Sequence, residues 1–173
     1  MLPRISIPAL SFVVLIGPTG SGKSTFARRH FKPTEILSSD VYRGLVSDDE
    51  NDQTATQDAF EVLYLVARKR LGAGRLTVLD ATNVQLEFRR KAVELAREYQ
   101  MLPLAIAFDL PEQVCDQRNA TRTDRTVDAH VVRLQREQMQ RAVRGLEKEG
   151  FRKVYRLGTV EEVDAALVVR EPL

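Results

Sequence analysis

The sequence predicts an α/β fold, a three-layer sandwich around a mostly parallel central sheet, and three observations predict it. Phe12-Val13-Val14-Leu15-Ile16 is a continuous apolar run rich in β-branched residues and ended by Gly17, the pattern of a strand covered on both faces. Shorter runs of the same character recur at 35–38, 76–80, 104–108 and Lys153–Leu157, with longer stretches of helical spacing between them. That alternation implies right-handed crossovers joining parallel strands. The third observation is the balance of the 173 residues: 43% hydrophobic, 29% charged and one cysteine, enough for a single domain over 1–173 whose core needs no disulfide.

The elements follow in order. A helix begins near Lys23, directly after the glycine-rich end of the first strand. Thr54 is placed to cap a helix in which Ala59, Phe60, Leu63, Ala67 and Leu71 recur at helical spacing and which Gly72-Ala73-Gly74 stops. Residues 86–99 read as a further helix, as do 112–120 after Pro111, and Asp128 caps a helix over 129–146. The acidic segment Val46-Ser47-Asp48-Asp49-Glu50-Asn51-Asp52 reads as a surface loop at the rim of a site. Phe12, Phe60 and Phe108 are expected in the core, Cys115 is expected to pack in a helix, and His30 and His130 show no metal-ligand spacing. Aromatic residues make up 6% of the chain, too few to suggest a stacking platform for single strands.

Charge is polarised although the net value is only +2. Residues 35–61 carry eight acidic groups against Arg43 alone, whereas residues 118–156 carry eleven basic groups against five acidic ones. No apolar run approaches the roughly 18 residues needed to span a bilayer, and Pro3, Arg4 and Pro8 interrupt the N-terminus, so a cytoplasmic protein without membrane contact is expected.

Gly17-Pro18-Thr19-Gly20-Ser21-Gly22-Lys23-Ser24 fits the phosphate-loop pattern, and it lies between a buried strand and a helix as that motif requires. Gly17, Gly20 and Gly22 supply unusual backbone angles, so that N–H groups from Thr19 through Thr25, Ser21 among them, converge with a helix N-terminus on nucleotide phosphates. Lys23 would bridge the β- and γ-phosphates of ATP or another nucleoside triphosphate, and Ser24 would supply its hydroxyl to Mg²⁺. Leu76-Thr77-Val78-Leu79-Asp80 resembles a Walker B strand, which makes Asp80 a second candidate near the metal, directly or through water.

The absence of Asn-Lys-x-Asp argues against a guanine-specific switch, and the chain is short for a motor domain. A kinase also needs a base on the acceptor side. Ser38-Ser39-Asp40-Val41-Tyr42-Arg43 follows the second strand, so Asp40 stands at the carboxyl edge of the sheet as general base, with Arg43 one helical turn on to hold an anionic group of the acceptor. Asn83, just past Asp80, is a further acceptor-side candidate. Arg118-Asn119-Ala120-Thr121-Arg122-Thr123-Asp124-Arg125 spaces three arginines by four and three, as a helical lid closing on the γ-phosphate would.

Taken together, these segments resemble the N-terminal 5′-kinase domain of the bacterial polynucleotide kinase-phosphatases of RNA repair. The matching residues are Gly17 to Thr25, His30-Phe31-Lys32-Pro33-Thr34-Glu35, Ser38-Ser39-Asp40, Arg43 through Thr54, Asp80-Ala81-Thr82-Asn83, and Gly145 through Arg152. The resemblance implies ATP- and Mg²⁺-dependent phosphorylation of 5′-OH ends of RNA or DNA. It implies functional roles for Lys23, Ser24, Asp40, Arg43, Arg118 and Arg122, for Gln53 in the acidic loop, and more weakly for Arg125. It also implies phosphatase and ligase domains in the parent chain, of which this would be an excised module. Pro18 and Thr19 stand where the family has serines, and Ala120 and Thr123 where it has an asparagine and a proline. Two other readings are open at this stage: a small-molecule P-loop kinase of the sugar-acid type, and an ATP-gated RNA-binding module that binds without transfer.

Overall fold

A computed structural model describes residues 1–124 and 126–173. Five strands form the central sheet: β2 (Ser11–Ile16), β3 (Ile36–Ser38), β4 (Thr77–Asp80), β5 (Leu102–Phe108) and β6 (Lys153–Leu157). Their order is β3-β4-β2-β5-β6, and every pairing is parallel. From the central β2 the chain crosses to β3 on one side and later returns past β2 to β5 on the other. Open α/β sheets bind ligands at the carboxyl ends of strands where the winding reverses in this way.

Alternation along β2 divides the core. Phe12, Val14 and Ile16 face a layer made with α3 (Thr56–Gly72) and α4 (Leu86–Glu98), which contribute Leu63, Tyr64, Leu71, Val93 and Ala96. Val13 and Leu15 face the other layer with Phe26 of α1 (Lys23–His30), Ile106, Phe108 and Leu157. Both faces are buried because side chains two apart share a face and each face has its own helices. Three layers result, as the sequence predicts.

Four elements differ from expectation. Arg4–Pro8 forms β1, paired in parallel with β7 (Leu167–Glu171), and the buried Ile5 and Ile7 of β1 join the second core layer. The Tyr155 hydroxyl of β6 ties this pair to the main sheet: it accepts from Ser6 N at 3.0 Å and donates to Ser6 O at 3.1 Å. Thr54 does not cap α3; Asp52 Oδ1 accepts from Thr54 N at 2.9 Å and starts a 3₁₀ turn, Gln53–Ala55, that runs directly into the helix. The helix capped by Asp128, α6 (Ala129–Ala142), stops before 146 because Gly145 leaves helical geometry, and a 3₁₀ turn at Leu146–Lys148 follows. Ser39–Ser47 is helical (α2), so the acidic segment begins inside a helix and turns at Asp48, whose φ is 61°. The remaining helices are α5 (Glu112–Thr121) and α7 (Val160–Ala165). Among the described residues no helix is long and apolar enough to cross a membrane.

Candidate active site

One cleft of about 820 Å³ opens at the carboxyl ends of β2, β3 and β4. It gathers most residues singled out by sequence: Thr19, Gly20, Gly22, Lys23, Ser24, Thr25, Asp40, Arg43, Gln53, Asp80, Asn83, Arg118 and Arg122 all line it. Gly17 and Ser21 lie in the loop behind its wall. Arg125 lies outside the described residues.

The phosphate loop is held by side chains of α5 and α6. Gly20 and Gly22 have φ of 88° and 91°, which only glycine adopts easily, and a Cβ on Gly20 would lie 2.8 Å from Asn119 Oδ1 and from Cys115 O. Gly17 differs from expectation: its φ is not positive, and what excludes a side chain is space, since a Cβ would lie 2.7 Å from Ser21 Oγ and 3.0 Å from Phe108 Cβ. Asn119 of α5 donates to Thr19 O at 3.0 Å, and Gln135 of α6 accepts from Thr19 N at 2.9 Å. The loop is thus clamped on both main-chain groups of one residue by helices that join it only in three dimensions. Neither Asn119 nor Gln135 carries a local signal that would reveal this role.

Lys23 is buried and donates to Pro18 O at 3.0 Å, so its ammonium lies across the mouth of the loop where phosphates of a nucleotide would come. Arg118 reaches over the same loop, donating to Gly20 O at 3.3 Å. Arg122 follows at the end of α5 and pairs with Asp124 at 3.1 Å, at the cleft's rim. Cys115 packs beneath, buried, and burial pushes its thiol up from the ordinary value.

Ser24 Oγ donates to Asp80 Oδ2 at 2.7 Å, which joins the start of α1 to the end of β4. Burial lifts the Asp80 carboxyl above the usual carboxylate range; Lys23 and the Ser24 hydrogen bond pull it down, and Asp40 raises it. A hydroxyl and a carboxylate are hard oxygen donors, and this pair fits Mg²⁺, which takes its other ligands from water and phosphate oxygens. No cluster of three or more His, Cys, Asp or Glu among the described residues offers an all-protein metal cage.

Across the cleft, Ser38 Oγ caps α2 by accepting from Val41 N, which leaves Asp40 in the first turn with its carboxylate toward the loop side. Arg43, one turn later and buried, donates to Asp40 Oδ1 and through Nε to Glu50 O at 3.0 Å. The two expected partners in acceptor chemistry are therefore bound to each other here. Gln53, exposed on the rim, donates to Asn51 O at 3.4 Å. Asn83 is 3% exposed, has φ of 50°, and donates to Leu15 O at 2.7 Å, so in this structure its amide ties the end of β4 to β2. Arg89 of α4 fixes that turn from below, donating to Asn83 O and Val84 O and pairing with Glu149 at 2.7 Å.

Aromatic placement follows expectation except that Phe60, which packs against the core, also reaches the cleft. Phe12 and Phe108 are buried, but Phe60 is half-buried and stacks on Phe88 of α4, centroids 5.7 Å apart, and both line the cleft. The signal was weak because an apolar residue at helical spacing reads as core whether it faces the sheet or a cleft beside it.

The chain is similar to known proteins in sequence and in fold. Residues 12–146 match the family model AAA_33, an AAA domain. The chain is 30% identical over 112 residues to transcription factor bHLH140 of Arabidopsis thaliana, covering 64% of this chain and 11% of that protein. It is 29% identical over 132 residues to the adenylate kinase of Thermotoga neapolitana, covering 65% and 59%. The chain therefore spans only part of each of these relatives. Among solved structures, the Pnkp1/Rnl/Hen1 RNA repair complex contains a chain of the same fold, with TM-score 0.65, 24% identity, and coverage of 83% of this chain and 46% of that one. With its phosphate loop at the end of β2 and a kinase-like α/β sandwich around it, the chain belongs to the AAA_33 family.

Proposed function

We propose that this chain is a polynucleotide 5′-hydroxyl kinase that moves the γ-phosphate of ATP, or another nucleoside triphosphate, to the 5′-OH end of RNA or DNA, as an end-healing step of RNA repair. The observation that carries the reading is the pair Asp40–Arg43 on α2, facing the phosphate loop and Arg118 across one cleft. A carboxylate beside an anion-binding arginine suits an acceptor whose hydroxyl neighbours a phosphate.

In the step, the 5′-oxygen forms a bond to the γ-phosphorus as the bond from phosphorus to the β,γ-bridging oxygen breaks, and ADP leaves. Asp40 takes the hydroxyl proton. Arg43 exchanges its hold on Asp40 for the acceptor's 3′-side phosphate, which frees the base as substrate arrives. Lys23, Arg118 and Arg122, with Arg125 as a further lid candidate, offset the charge that builds on the transferring group. Main-chain N–H groups of Gly20, Gly22 and Thr25 cradle the donor phosphates, while those of Gly17, Thr19 and Ser21, bonded to Thr82 O, Gln135 Oε1 and Pro18 O, hold the loop in shape for them. Gln53 and Asn83 border the acceptor. Mg²⁺, held at Ser24 and Asp80, would draw charge from the phosphate oxygens. Catalysis is then mainly positioning and electrostatics. The phosphatase and ligase partners implied by the resemblance, and a cytoplasmic setting, belong to the same reading.

The adenylate kinase similarity favours a second reading, a kinase for a small molecule. Incubation with Mg²⁺, γ-labelled ATP and two otherwise identical short strands separates the two. Label on the strand ending in 5′-OH, and none on the strand already bearing a 5′-phosphate, is expected. Label on neither, with ATP still bound, would move the acceptor to small hydroxylated compounds.

A further inference from the structure

The acceptor wall contains two rings for which the reaction above has no use. Of seven phenylalanines, Phe12, Phe26, Phe31, Phe108 and Phe151 are buried, none more than 8% exposed. The two that are not, Phe60 and Phe88, come from different helices and meet at the cleft, stacked with planes 27° apart. An apolar ring left half-open in a chain with this much core to fill needs a reason. Chance exposure would scatter such rings rather than pair them in the cleft that also holds Asp40 and Arg43.

The pair is braced from behind. Phe60 packs on Tyr64, centroids 5.9 Å apart, and Tyr64 is a buried core residue with Lys91 Nζ 4.0 Å from its ring centre. The Phe60 ring is therefore held between Tyr64 and Phe88, and Phe60 and Phe88 together give the cleft a braced apolar lining. Thr56, one turn before Phe60 on α3, lines the same wall, and its Oγ1 is buried with no partner among the described residues. Val41, 48% exposed and next to Asp40 in the chain, adds a further apolar side chain to the lining of the cleft.

We infer that Phe60 and Phe88 form a subsite for the planar base of the acceptor's 5′-terminal nucleotide. The inference rests on the 5′-hydroxyl kinase reading and deepens it. A base has two π-faces and stacks on an aromatic ring whatever its identity, so the subsite selects for a nucleotide end over an aliphatic hydroxyl compound without selecting a sequence. With the neighbouring phosphate on Arg43 and the base on Phe88, the ribose between them is held at two points, and its 5′-hydroxyl is turned to Asp40. Thr56, by rotation about its side-chain bond, offers a hydrogen bond at the base's edge.

The test uses two short strands with 5′-OH ends that differ only in the first nucleotide, one normal and one abasic. With the unmodified protein the abasic strand should show a KM raised about tenfold, within the range that base-on-ring stacking supplies, with kcat within about twofold. In Phe88→Ala the gap between the two strands should close, and in Phe88→Tyr, which keeps the ring, it should return. A binding arm reads the subsite without transfer: with a non-hydrolysable ATP analogue present, 2-aminopurine as the first base should be quenched on binding, less so in Phe88→Ala, whereas 2-aminopurine as the third base should not respond to the substitution. Transfer that treats normal and abasic ends alike, with equal quenching in Phe88→Ala, would overturn the subsite and leave the kinase reading standing. Quenching without transfer would overturn the kinase reading and leave a base-binding subsite, and neither signal would overturn both. Phe60→Leu, which keeps bulk against the core, guards against a loss that is only misfolding.

Discussion

On the proposed donor side of the cleft the groups assigned to the nucleotide are mostly main chain: loop N–H groups at the start of α1, with Lys23 and Arg118 across them. On the proposed acceptor side they are all side chains, Asp40 and Arg43 from α2, Gln53 from the rim, and Phe60 and Phe88 from α3 and α4. A main-chain cradle depends on a short stretch with fixed glycines, so one segment of sequence can specify it. A side-chain wall depends on three helices arriving together, and it can change its ligand by changing a few residues without disturbing the fold. The donor half should therefore be common among relatives that phosphorylate different things, and the acceptor half should carry specificity.

The largest effect expected on this division comes from Lys23→Ala. It removes the ammonium that spans the loop mouth and should lower kcat by about 10²–10³-fold, read from steady-state transfer. A loss confined to acceptor KM would place Lys23 on the wrong side of the cleft.

Gln135→Ala should have a smaller effect, and only on the donor side. Without the acceptor for Thr19 N the loop loses one of its clamps, and the KM for ATP should rise roughly two- to tenfold, the worth of one hydrogen bond, while the KM for the strand holds. A change in strand KM alone would show that α6 serves the acceptor instead.

The smallest expected effect lies outside both halves, where Arg170 of β7 pairs with Glu35 at 2.7 Å. Burial works to raise the Glu35 carboxyl, but Arg170 and the Lys32 N–H outweigh it, and the net shift is downward from 4.5. A carboxyl lowered on folding adds stability that is full above its unfolded value and lost as pH falls through its folded one. Glu35→Gln should therefore lower Tm near neutral pH by about 1–2 °C, because Arg170 is partly exposed. The difference should shrink as pH drops below 4 or so. ATP and strand KM values should not move.

How much of this was legible in the sequence follows the same division. Gly17 through Ser24 marked the phosphate loop because spacing alone encodes a loop of that shape, and β2 was plain from its apolar run. Asp40 and Arg43 were legible as neighbours on one helical face, although their mutual pairing was not. Asn119 and Gln135 were not legible as loop clamps, because 100 and 116 residues separate them from Thr19 and an amide has no pattern of its own. Phe60 packs against the core as its spacing predicts but is only half-buried and also borders the cleft, which periodicity does not show, because it tells which face of α3 is apolar and the cleft begins on that face. Strand β1 escaped because five residues that alternate Ile5 and Ile7 with polar neighbours give a short signal, and its partner β7 lies at the far end of the chain.

The division into two halves is tested most directly by Asp40→Asn, with ATP affinity and transfer to a 5′-OH strand measured on the same preparation. Asparagine keeps the size of the side chain and removes its ability to take a proton. ATP affinity should match the unmodified protein, and transfer should fall by about 10²–10⁴-fold, as loss of a general base does. Transfer at the normal rate, or a loss of ATP binding equal to the loss of transfer, would contradict the assignment of Asp40 to the acceptor's hydroxyl and with it the account of the cleft.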